Sequence, residues 1–66
     1  MGMNLIEGLQ EELTRNKELL TQYQAIPTGA FGALFIKKDI AYAEESMATG
    51  DTVAMLRVLK SLRENN

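Results

Sequence analysis

The side chains that could do chemistry in this chain are carboxylates, hydroxyls and amines, because it contains no His and no Cys. The most common general base and the thiolate nucleophile are therefore missing, along with the two side chains that most often ligate transition metals. Of the nine carboxylates, the candidates are two adjacent pairs, Glu11-Glu12 and Glu44-Glu45, and the single residues Asp39 and Asp51. Neighbouring residues on a helix point in different directions, so neither pair forms an acid/base couple or a metal clamp. They read as solvated side chains, and Asp51, directly after Gly50, reads as a helix cap. Ser46 and Ser61 have no base to activate them. No catalytic, cofactor-binding or metal-binding residue is assigned, and the chain is expected not to be an enzyme and to use no cofactor.

Two further groupings invite a functional reading. Gly29-Ala30-Phe31-Gly32 opens a helix, where free amides favour anions. It lacks the Lys-Ser/Thr of a phosphate-binding loop and the preceding strand of a dinucleotide fingerprint, so its glycines are read as permitting a tight turn and close packing. Arg57, Lys60 and Arg63 make the last segment the most basic, which suits cations near a helix C-terminus. Acidic residues elsewhere bring the net charge to -2, and the interspersed signs leave no broad positive field for a phosphate backbone. Nucleic acid is not an expected partner.

The elements that would position these residues follow from apolar spacing. Asn4 followed three residues later by Glu7 has the form of a capping box, which starts a helix near Leu5. Ile6, Leu9, Leu13, Asn16, Leu20 and Tyr23 recur every three or four residues and form one stripe, although Gly8 weakens the first turns by roughly 1 kcal/mol. Asn16 breaks the apolar character of that stripe; it either fixes register in a seam or lies solvated at its rim. Pro27 stops the helix near Gln24, and Thr28 is placed to cap the next one. That second helix runs to Thr49-Gly50, where Gly takes the left-handed position. Asp51 caps a third, marked by Val53, Met55, Leu56, Leu59 and Leu62, that frays at Glu64-Asn65-Asn66. The reading is a single domain, residues 1–66, with helices at about 5–24, 29–48 and 52–64 and no strand. Its fold class is all-α, either an up-down three-helix bundle or a helical hairpin with a third helix.

The second helix carries two apolar faces. Ala33, Ile36, Ile40, Ala43 and Met47 form an aliphatic one, and Phe31, Phe35 and Tyr42 an aromatic one; Leu34, Ala41 and Ala48 interrupt the charged flank that holds Lys37, Lys38, Glu44 and Glu45. Two apolar faces require two partners. One should pack on the flanking helices and the other on a second molecule, which makes Phe31, Leu34, Phe35, Ile36, Ile40, Tyr42 and Met47 the interface candidates. A chain of 66 residues buries only about 60% of its unfolded surface and has no disulfide, so self-association is a direct route to stability. A homodimer is expected. No run of about 18 apolar residues could span a bilayer, no leader pattern is found, and cytoplasmic residence without membrane contact is the default. Met1-Gly2-Met3 offers a second candidate initiator.

The stretches Tyr23-Gln24-Ala25-Ile26-Pro27-Thr28-Gly29-Ala30-Phe31-Gly32, Ala43-Glu44-Glu45-Ser46-Met47-Ala48-Thr49-Gly50-Asp51 and Met55-Leu56 resemble small uncharacterised helical proteins of bacterial and prophage genomes. The resemblance covers most of the chain and implies a bacterial or phage source, but it brings no activity or site residues. The functional expectation is a non-catalytic structural or protein-interaction module that self-associates through the second helix. The alternative is a small regulator that binds a larger enzyme or nucleic-acid-binding protein through the same face.

Overall fold

A computed structural model describes residues 4–66; residues 1–3, including the second candidate initiator, lie outside the described part. Helix α1 spans Leu5–Gln24, α2 spans Ala30–Thr49 and α3 spans Thr52–Glu64. The fold is an all-α three-helix bundle, with no strand among the described residues and with each helix packed on both others.

Local chemistry accounts for most of the helix ends. The Asn4 side chain accepts the Glu7 amide at 2.8 Å, and its amide donates back to the Glu7 carboxylate at 2.6 Å. Two polar groups at the start of α1 are thereby satisfied reciprocally. At the end of α2 Gly50 adopts φ 70° and ψ 24°, and the Asp51 amide donates to Ser46 O at 3.1 Å. The left-handed residue ends α2 at little steric cost. Asp51 then accepts the Ala54 amide at 3.1 Å and starts α3.

The start of α2 differs from the sequence expectation. Thr28 does not cap it: Gly29 occupies the cap position and no side chain bonds to the free amides. The reason is the turn before it. Gly29 N–H donates to Ile26 O at 2.9 Å, closing a β-turn with Pro27 in the second position, where its fixed φ is favourable. Thr28 is used up inside that turn and stays exposed. A Cβ on Gly29 would stand 2.3 Å from Tyr23 O, so only glycine allows the end of α1 to approach this closely. A Cβ on Gly32, one turn further on, would likewise stand 2.3 Å from Cε2 of the Tyr23 ring.

The core is formed by Leu9 and Leu13 of α1, Ile36, Ile40 and Ala43 of α2, and Met55, Val58, Leu59 and Leu62 of α3. Leu5, Leu19, Leu20, Tyr23 and Met47 pack around it. Each large core side chain contributes about 1.5–3 kcal/mol through burial. The aliphatic face of α2 is therefore the internal one.

Asn16 lies in the middle of the packed stripe of α1 and is wholly buried, not solvated at a rim. Its amide donates to Glu12 O at 2.8 Å and to Leu62 O at 3.1 Å, and its Oδ1 accepts from Asn65 Nδ2 at 2.9 Å. Arg15, the next residue, donates to Leu62 O at 2.5 Å and Asn65 O at 2.8 Å while pairing with Glu12 at 2.9 Å. The end of α3 does not simply fray at Asn65-Asn66. Asn65 also donates to Asp39 of α2 at 3.1 Å, and the Tyr23 hydroxyl donates to Asn66 O. Carbonyls that a helix end leaves without partners are here satisfied by side chains of α1.

Candidate functional site

The carboxylates and serines weighed for chemistry are dispersed in the structure, and most of them hold structural roles. Glu12 pairs with Arg15, Glu44 pairs with Lys17 across the α1–α2 boundary at 3.2 Å, and Asp51 caps α3. Asp39 accepts from Asn65, and the buried Ser46 hydroxyl donates to Tyr42 O at 2.8 Å, inside its own helix. Among the described residues no group of three or more carboxylates stands together as a metal site, and no helix is long and apolar enough to cross a membrane. Every buried polar side-chain atom has a partner.

Large apolar side chains are exposed on all three helices, Ile6 on α1 and Val53 and Leu56 on α3 among them, and the largest group lies on α2. Phe31 is 79% exposed, Leu34 63%, Phe35 67% and Tyr42 42%. Of the seven interface candidates these four face outward, whereas Ile36 and Ile40 lie in the chain's own core and Met47 packs against it. The geometry follows from helical projection. At about 100° per residue, the exposed side chains centre almost opposite Ile36, Ile40 and Ala43; Phe35, at the edge of this surface, borders a groove it shares with Tyr23, Glu64, Asn65 and Asn66. Ile26, 51% exposed, adds an apolar residue at the turn end of this surface, beside an open groove lined by Tyr23, Pro27, Ala33, Leu34 and Lys37.

The sequence reading set Lys38 and Glu45 on a charged flank. In the structure both are exposed on the outward side together with Ala41, Ala48 and Thr49, so the aromatic surface contains one charge of each sign. Seven-residue spacing along the helix is the signal that groups them: Phe31, Lys38 and Glu45 fall on one line. The polar network around Asn16 was also not assigned a partner, because its other half lies at the far end of the chain.

Comparison with protein-family models, with curated proteins and with solved structures found no match to this chain. The functional reading therefore rests on the surface itself.

Proposed function

We propose that the protein is a non-catalytic, self-associating helical module, a structural or protein-interaction unit whose contact surface is the outward face of α2. The observation that carries this reading is the exposure of Phe31, Leu34 and Phe35 on one side of a helix whose other side is sealed in the core. Contiguous apolar surface of this kind marks association sites on small soluble domains. Covering these three side chains would contribute about 1.5–3 kcal/mol each before the cost of association is subtracted. A second copy is the partner always at hand, and a small domain without disulfides gains stability by pairing.

The experiment is solution mass by sedimentation velocity, for the wild type and for the double variant Phe31→Ser/Phe35→Ser. The wild type should run at twice the 7.3 kDa chain mass. The double variant should run as a monomer with unchanged helical circular dichroism, since neither side chain belongs to the core. A wild type that stays monomeric throughout the micromolar to millimolar range defeats the proposal. Should such a monomer capture one stoichiometric foreign protein that the double variant does not, the same face would belong to a regulator of that protein.

A further inference from the structure

We infer that the two copies pair with their α2 helices antiparallel, in the register that sets Lys38 of one copy against Glu45 of the other. This rests on the self-association proposed above and adds the orientation and register of the partner.

Of the twelve exposed residues of α2, nine lie on its outward side in three lines of seven-residue spacing, and Ala30, Lys37 and Glu44 run along its edge. Phe31, Lys38 and Glu45 run along the middle, with Leu34, Ala41 and Ala48 on one flank and Phe35, Tyr42 and Thr49 on the other. A repeat of seven keeps a seam facing one partner helix along its length. The stripe is asymmetric from end to end in two independent ways. In charge, Lys38 stands toward the N-terminal half and Glu45 toward the C-terminal half, and neither belongs to an ion pair among the described residues. In size, the level of Leu34 and Phe35 is bulky, while that of Ala48 and Thr49 is small.

Parallel pairing places like on like. Lys38 would meet Lys38 and Glu45 would meet Glu45, the bulky level would crowd its own copy, and the small level would leave a void. Antiparallel pairing with Lys38 opposite Glu45 forms the same ion pair twice about a twofold axis. In that register the Leu34/Phe35 level meets the Ala48/Thr49 level of the second copy, bulky against small, at both ends of the contact. Ala41 and Tyr42 meet their own copies at the axis. The overlap from Leu34 to Thr49 is about 24 Å long at 1.5 Å per residue. Charge and size select the same orientation and the same register. Phe31 then extends past the overlap toward the turn between α2 and α3 of the second copy, where Thr52 and Val53 stand exposed.

The test is the dimer dissociation constant of the wild type, of Lys38→Glu, of Glu45→Lys and of the double exchange Lys38→Glu/Glu45→Lys. Each single change places two like-charged pairs in the seam and should weaken the dimer on the order of tenfold or more. The double exchange restores both attractive pairs and should return the constant to near the wild-type value. In a parallel dimer each of these variants keeps like charges opposite one another, so none would differ much from the wild type. A second readout is oxidative cross-linking: a Lys38→Cys chain mixed with a Glu45→Cys chain should form the mixed disulfide in preference to either homodisulfide. A dimer that ignores the single changes, or that cross-links 38 to 38, overturns the antiparallel assignment and leaves self-association standing. A wild type that is monomeric at every concentration overturns both.

Discussion

The side-chain amides of Asn16 and Asn65, 49 residues apart in sequence, are hydrogen bonded at 2.9 Å where the half-buried end of α3 meets the core. That bond joins the middle of α1 to the end of α3 and gives a fully buried polar side chain the acceptor contact it needs. Polar groups buried in this way specify one arrangement of the helices, because a shift in register would leave them without partners.

Asn16→Leu should therefore lower stability, even though it makes the stripe of α1 uniformly apolar. The larger side chain overfills a site with no exposed surface, and Leu62 O and Asn65 each lose a contact. The expected loss is about 1–3 kcal/mol, read as a lower urea midpoint with unchanged solution mass. A higher midpoint would show that the network is dispensable.

Gly29→Ala and Gly32→Ala should differ in cost. At Gly29 the new Cβ meets the backbone carbonyl of Tyr23, which cannot move without shifting the end of α1; at Gly32 it meets the Tyr23 ring, which can rotate aside. Thermal unfolding should show a loss of about 2 kcal/mol or more for Gly29→Ala and a smaller one for Gly32→Ala. Equal melting temperatures would refute the distinction.

Capping supplies a matched pair of tests. Asp51→Ala removes a side-chain bond to the Ala54 amide and should cost about 1 kcal/mol. Thr28→Ala removes no cap and should stay within about 0.5 kcal/mol of the wild type. Chemical denaturation of the two variants side by side checks both values.

The ion pair between Lys17 and Glu44 is more than half exposed at both ends. Lys17→Met should change stability by no more than about 0.5 kcal/mol, whereas Leu9→Ala, at a fully buried position, should cost about 2–5 kcal/mol. Denaturant midpoints for the two variants would expose a wrong ranking.

What was legible in the sequence is what short-range chemistry decides. Asn4 with Glu7, Gly50 with Asp51, and the spacing of Ile36, Ile40 and Ala43 each act within a turn or two, and they account for the capped starts of α1 and α3 and the buried line of α2. Thr28 misled because two local motifs competed for it, and the Pro27 turn took it before the helix did. Asn16 was visible as an interruption, but its partners come from the far end of the chain, beyond the reach of periodicity. At the candidate site, spacing set Phe31, Phe35 and Tyr42 on one face and Ile36, Ile40 and Met47 on another, but it could not separate the internal face from the outward one. That separation depends on which side of α2 the other two helices occupy.

The bonds from Arg15 and Asn16 to Leu62 and Asn65 close a loop that encompasses all of α2. Bringing such distant segments together carries the largest chain-closure entropy in the molecule, whereas the helical turns themselves form from neighbours. The clasp then belongs to the late side of the folding barrier, so weakening it should hasten unfolding and leave the refolding rate nearly unchanged. Stopped-flow unfolding of Asn16→Leu should show that faster unfolding limb beside a nearly unchanged refolding limb.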